Sequence, residues 1–389
     1  QGALYDAAGD LIARHAMELA AQSGNDIRLF KNNVDGKGAA YGSHENYLLR
    51  RDLDFFNLAQ NLIPFLVTRP LICGAGRVGI GQRSQKAGFQ ISQRADYVEN
   101  DIGLETTFNR PIVNTRDEPH ADASRWRRLH IIGGDANRFQ YSTYLRLGST
   151  AALLWFLENA NPSELKVLEG LRITSDPVEE TWAVSHDLTL THRLETVSGP
   201  LSALQIQNEL LSTIAGALKE RGAADEASIA LLTDWQTILD SLHGDRVLAA
   251  RRVEWVGKYQ LLSGMRRRLG CDWNHSKIQA LDLQWAALEP GIFESLCAAG
   301  MVQQLFTEAE VSQAVSLPPR GGRAWVRGMA VANLPQVKKG SWESLLFDLG
   351  GEQLLRFNLG DPARAASDAE ALALENGDAE AFARALAGD

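Results

Sequence analysis

In an extended segment residues i and i+2 lie on one face, so polar and ionisable side chains that recur every second position can be gathered into a site. Two segments of this chain have that pattern. His44 and Asn46 share one face of a predicted strand at 44–49, with Glu45 and Tyr47 on the other. Arg128 and His130 share a face of a predicted strand reaching 133, and Asn114, Arg116 and Glu118 share another. Neutral imidazole supplies a lone pair to a metal, and guanidinium neutralises phosphate or carboxylate oxygens. Arg110, Arg116, Arg125, Arg127 and Arg128 fall within 19 residues and mark the region as an anion-site candidate. The competing structural explanation is a set of hydrogen-bonded histidines and surface ion pairs. Magnesium prefers carboxylates, and few stand beside these histidines.

Other motifs fail on context. Gly74-Ala75-Gly76-Arg77-Val78-Gly79 matches G-x-G-x-x-G, but it leads through Gly81 and Gly88 into another predicted strand. A dinucleotide loop must instead open a helix. Lys37 lacks the upstream glycine of a P-loop, His44-Glu45 lacks the second histidine of a zincin, and no G-x-S-x-G occurs. His15, His186, His192, His243 and His275 are isolated and receive no chemistry.

The elements that must position the polar faces read as follows. A helix opens the chain over 4–21, and a second lies near 52–62. Strands are predicted at 27–32, 44–49, 65–73, 89–94, 111–116 and 129–133, helices from Tyr141 onward, and a mostly helical stretch over 201–300. Beyond the break at 318–322, strands are predicted at 324–330, 342–347 and 353–359. The division expected is a catalytic domain over 1–299, a small α+β domain over 300–360 and a helical tail over 361–389. That tail holds seven acidic and two basic side chains, and is expected to be solvated.

Composition bounds the function classes. With 45% hydrophobic and 22% charged residues the chain is a folded globular protein. A formal charge of -9 argues against a general nucleic-acid binder and against a protein held on anionic lipid. No apolar run is long enough to span a membrane. Cys73, Cys271 and Cys297 are odd in number and lack C-x-x-C spacing, which points to a reducing, cytoplasmic setting. The chain opens on Gln1 directly into an amphipathic pattern, and is expected to lack its natural beginning.

Three long strings carry a family resemblance: Lys31-Asn32-Asn33-Val34-Asp35-Gly36-Lys37-Gly38-Ala39, Tyr41-Gly42-Ser43-His44-Glu45-Asn46-Tyr47-Leu48, and Asn114-Thr115-Arg116-Asp117-Glu118-Pro119-His120-Ala121-Asp122. With Arg127-Arg128-Leu129-His130-Ile131-Ile132 and Ser341-Trp342-Glu343, they closely resemble the Pup ligase and Pup deamidase family of the bacterial proteasome system. The strings at 34–38, 76–81, 103–107 and 347–351 resemble the deamidase and depupylase branch more than the ligase branch.

The resemblance implies an α+β, glutamine synthetase-like fold, in which a curved antiparallel sheet with flanking helices cradles MgATP beside a small C-terminal domain. It implies His44 and His130 as metal ligands, and Asn46, Arg116 and Arg128 as nucleotide contacts. The implied partners are Pup and pupylated proteins. The implied reaction is ATP- and magnesium-dependent hydrolysis at the C-terminal residue of Pup, either deamidating glutamine or cleaving the isopeptide bond to lysine. The family's catalytic aspartate and magnesium-binding glutamates are expected on strands preceding Gln1. No catalytic residue is therefore assigned, and the chain as given is expected to be inactive. The alternatives are a Pup–protein ligase and a non-catalytic fragment that binds nucleotide or Pup.

Overall fold

A computed structural model describes residues 1–387. In chain order its first half comprises α1 (Gly2–Gln22), β1 (Ser43–Arg50), α2 (Phe55–Thr68), α3 (Pro70–Cys73), β2 (Arg77–Ile80), β3 (Lys86–Gln90), β4 (Asn100–Gly103), β5 (Pro111–Asn114), β6 (Trp126–Gly134) and α4 (Gln140–Asn159). Helices α5 (Pro162–Leu171) and α6 (Pro177–His186) lead to a hairpin of β7 (Arg193–Thr196) and β8 (Gly199–Ser202). A helical run follows: α7 (Ala203–Glu220), α8 (Glu226–His243), α9 (Val247–Arg252), α10 (Glu254–Leu269), α11 (Ser276–Trp285), α12 (Ile292–Ala298) and α13 (Glu308–Ser316). The chain ends with α14 (Arg323–Asn333), β9 (Val337–Gly340), β10 (Ser344–Phe347), β11 (Leu355–Asn358), α15 (Asp368–Asn376) and α16 (Ala379–Ala387).

The main sheet has the order β1-β6-β5-β4. β1 and β5 both run antiparallel to β6, as expected, but β4 lies parallel to β5, so the sheet is mixed. The return between those two strands is an irregular segment pinned by Asn114, whose Nδ2 donates to the carbonyls of Leu104 and Glu105. One face of the sheet is apolar, with Leu49, Val113, Leu129 and Ile131 buried against Leu58, Leu62 and Phe65 of α2 and Leu145 of α4.

Two predicted strands are helices. The run 65–73 forms the end of α2 and all of α3. Asp54 caps α2 by accepting from the Asn57 N–H, and Pro70 occupies the first turn of α3, where its missing N–H costs nothing. The segment is buried all round, so it has no period to separate helix from strand. The run 324–330 lies in α14, where Val326 and Ala330, one helical turn apart, face a second core. The predicted strand at 27–32 is extended but reduced to a single bridge, Phe30 with Ala287.

That second core joins Val326, Leu334, Leu345, Phe347 and Leu359 to Leu374 and Phe382. The last helices, expected to lie in solvent, are therefore half-buried parts of the C-terminal unit. Ser367 caps α15, and Leu374 and Phe382 supply the apolar face that charge counting overlooks. Residues 388 and 389 of the tail lie outside the described residues. No described helix is long and apolar enough to cross a membrane.

Candidate active site

Register places the polar residues. Asn46 of β1 stands opposite His130 of β6, Leu48 opposite Arg128, and His130 opposite Asn114 of β5. His44, Asn46, Asn114, Arg128 and His130 thus share the sheet face that turns away from the apolar core. A bulge where Ser43 meets both Gly133 and Gly134 precedes His44 and re-aims it. A Cβ at Gly42 would collide with the His44 ring, so a larger residue there would displace that ring.

His44 Nδ1 and His130 Nε2 are 2.9 Å apart, with the rings tilted at 45°. One nitrogen donates and the other accepts, so a single hydrogen lies between them. Desolvation, then the nearby Arg94, Arg116 and Arg128, hold His44 below its ordinary pKa. Burial, then His44, Arg128 and Arg116, push His130 down to about 4. At neutral pH the pair is uncharged, and His130 Nδ1 is buried without a partner.

Three guanidiniums surround the pair. Arg128 pairs with Glu118 and leaves its buried Nε free of hydrogen bonds. Arg116 is exposed, with its N–H donating to Asn114 Oδ1 at 2.9 Å. Arg94 is 3% exposed, makes no ion pair among the described residues, and has Nε and Nη1 buried without partners. Burial, then Arg110, push its pKa down to about 10. Asp135 fixes the turn that carries Arg94, accepting from the N–H groups of Ala75, Gln93 and Arg94 and from the Ser92 hydroxyl.

On the opposite face, Glu45 takes two hydrogen bonds of 2.9 Å from Arg69 and one of 2.6 Å from Tyr47. This buried ion pair ties β1 to the residue that joins α2 and α3, beneath the polar face.

His44, Asn46, Arg116, Arg128 and His130 are therefore brought together. Arg110, Arg125 and Arg127 are not part of the cluster. Arg110 pairs with Glu99 and lies over Tyr97, Arg125 lies over Trp126, and Arg127 covers Phe55 and donates to the Leu53 carbonyl. Arg94 escaped the sequence reading because 89–94 looked like a strand. Arg94 lies in a stretch buried throughout from Phe89 to Val98, whose several polar residues give no sign of that burial in the sequence. His186 and His192 are hydrogen-bonded to Asp96 and Glu180, and His275 caps α11.

The donor set decides which ligand fits. Magnesium takes oxygen ligands in a near-octahedral shell. Here the donors are two imidazoles already bonded to each other among three cations, and no group of three or more His, Cys, Asp or Glu among the described residues could hold a metal. The pair does not by itself make a magnesium site. Three guanidiniums with unfilled N–H donors fit phosphate or carboxylate oxygens.

Residues 1–346 match the protein family described as Pup-ligase protein, and the chain belongs to that family. It is 42% identical to the depupylase of Acidothermus cellulolyticus over 361 residues, covering 91% of this chain and 71% of that one. It is 40% identical to the Pup deamidase/depupylase of Mycobacterium tuberculosis, covering 93% and 72%. It is 39% identical to the Pup–protein ligase of Micrococcus luteus, covering 83% and 70%. Its backbone superposes on the Pup ligase PafA in complex with ADP with a TM-score of 0.82 at 32% identity, over 96% of this chain and 83% of that one. The chain thus has the glutamine synthetase-like fold of that ligase and is an enzyme-family member in both sequence and architecture.

Proposed function

We propose that the sheet face binds a nucleotide's phosphates and the C-terminal residue of Pup, and that the chain hydrolyses the side-chain amide there, in place of the inactivity expected from the sequence. The observation that carries this is the convergence of Arg94, Arg116 and Arg128 on an uncharged histidine pair at an open sheet face. Water adds to the amide carbon, the C–N bond breaks, and nitrogen leaves with a proton as ammonia or as a lysine amine. The guanidiniums stabilise the oxyanion that develops and the carboxylate that remains. His44, reachable from solvent, and Asn46 orient the polar end of the ligand. Bound nucleotide with magnesium would supply further charge stabilisation, and His44 and His130 would offer the metal only nitrogen donors.

The hydrolase reading is supported by the depupylase relatives at 42% and 40% identity and by the strings named above. The ADP-bound ligase supports nucleotide binding. Three free cysteines fit a cytoplasmic setting. One observation favours a binding-only reading. Asp117 and Asp135, the aspartates nearest the face in sequence, have both oxygens committed, Asp117 to Arg51, Arg127 and the Arg128 N–H. The test is incubation of the chain with MgATP and a Pup–protein conjugate. Release of free protein is expected. Intact conjugates together with joining of glutamate-ended Pup to free protein would make the chain a ligase, and neither reaction with retained Pup binding would leave a binding module.

A further inference from the structure

Two irregular stretches of backbone aim the groups of the candidate active site: the bulge before His44 and the turn that carries Arg94. One buried side chain touches both. Arg146 comes from α4, and its side chain is 6% exposed. Its Nη1 donates to Ser43 Oγ at 2.8 Å and to the Asp135 carbonyl at 2.8 Å. That nitrogen carries two hydrogens, so both bonds are made at once. Ser43 sits in the bulge and directly precedes His44. Asp135 accepts the backbone N–H groups of Gln93 and Arg94 on its carboxylate. A single guanidinium nitrogen therefore joins the start of the histidine strand to the seat of the buried arginine.

The bulge is shaped for this contact. A Cβ at Gly134 would stand 2.8 Å from Arg146 Nη1 and 2.7 Å from Glu45 Oε1, so a side chain there would displace the guanidinium or the carboxylate. Glu45 Oε1 itself lies 3.9 Å from that nitrogen, beyond hydrogen-bond reach. Arg69 makes the hydrogen bonds to Glu45, whereas those of Arg146 go to the two stretches that aim the site. One helical turn further along α4, Thr150 accepts from Arg69 at 2.9 Å. Helix α4 thus supports β1 at two points, and the Arg146 point is the one that reaches the site. Arg146 Nε is buried without a partner, which costs stability that an apolar side chain of the same length would not.

We propose that Arg146 is a positioning residue: through Ser43 it sets the aim of His44, and through Asp135 it sets where Arg94 stands relative to the histidine pair. Its effect on turnover rests on the hydrolase reading, and its effect on the histidine pair does not. A misplacement of about 1 Å in such a cluster can cost on the order of 100-fold in rate. Arg146 touches neither substrate nor nucleotide in this role and acts only through the groups it holds.

The experiment uses Arg146→Met, which keeps the length and removes the donors, Ser43→Ala, which removes the acceptor on β1 alone, and the double variant. NMR of nitrogen-15-labelled histidine at mildly alkaline pH reads the tautomers of His44 and His130. In the native chain the hydrogen shared between the rings should hold each in a single tautomer, and both single variants should lose that state and show mixtures. Ser43→Ala should lower kcat for glutamine-ended Pup about tenfold with ATP affinity changed by no more than about twofold. Arg146→Met, which also frees the Asp135 turn, should in addition weaken ATP binding about tenfold or more. Adding Ser43→Ala to Arg146→Met should change the tautomers no further, because both remove one hydrogen bond. Folded variants with the native tautomers, or additive effects in the double variant, would overturn the assignment. If Arg146→Met does not fold, Ser43→Ala decides by the same tautomer reading. If the native chain deamidates no Pup, the hydrolase reading fails, and the tautomers still decide the role of Arg146.

Discussion

Arg94 is where function and stability pull apart most clearly. A guanidinium that is 3% exposed, without an ion pair among the described residues and with two idle N–H-bearing atoms, is held ready for an anion rather than for the fold. Arg94→Met keeps the length and removes the charge. The expected outcome is a Tm no lower than that of the native chain, with nucleotide affinity and Pup amide hydrolysis reduced by about tenfold or more. A large fall in Tm with unchanged nucleotide affinity would assign Arg94 to structure instead. At this scale much of the site was legible. Alternation placed His44 with Asn46 and Arg128 with His130, because period 2 is a local property of one strand. Arg94 was not legible, because a turn fixed by Asp135 from more than 40 residues away leaves no period behind.

Among the elements, β1 bears the greatest load, with the polar face on one side and a buried ion pair on the other. Burial works against the charged form of Glu45, but Arg69 and Arg146 overcome it and hold the carboxyl below the usual glutamate range. A group whose pKa is depressed by folding contributes stability that is complete above its unfolded value and is lost as pH falls through the folded one. Glu45→Gln should therefore cost about 3–5 kcal/mol near neutral pH by leaving Arg69 unpaired. The gap between native and variant should shrink as pH drops below about 4.3. Urea unfolding of both proteins across the acid range checks this, and a gap that does not change with pH would contradict it. Strands with one wet face were readable from sequence, as at 44–49 and 129–133. The end of α2 is buried on every side and so has no period, and the seven residues 324–330 of α14 are too few to separate helical from strand spacing.

Across the whole molecule, two cores are joined near the site. The C-terminal unit reaches the 115–125 loop through the His120 ring stacked on Trp342, and through Arg323, which donates to the His120 carbonyl. That loop also carries Arg116. Phe382 is fully buried in the second core with Phe347. Phe382→Ala should destabilise that core by about 3–5 kcal/mol. Hydrogen exchange should quicken in β10 while β6 stays protected, and equal loosening of both strands would show a single cooperative unit instead. The acidic count of 361–389 hid this packing, because net charge does not report the few apolar residues that face inward. The central claim, that amide hydrolysis at the C-terminal residue of Pup occurs on the His44–His130 face, is tested most directly by mass spectrometry. Glutamine-ended Pup is incubated with MgATP and either the native chain or Arg116→Ala, whose side chain lies exposed on the loop rather than in a core. The native chain should convert the terminal glutamine to glutamate, and the variant should be slower by about tenfold or more at equal Tm. Glutamine-ended Pup left unchanged by a folded, nucleotide-binding native chain, or converted equally well by both proteins, would contradict it.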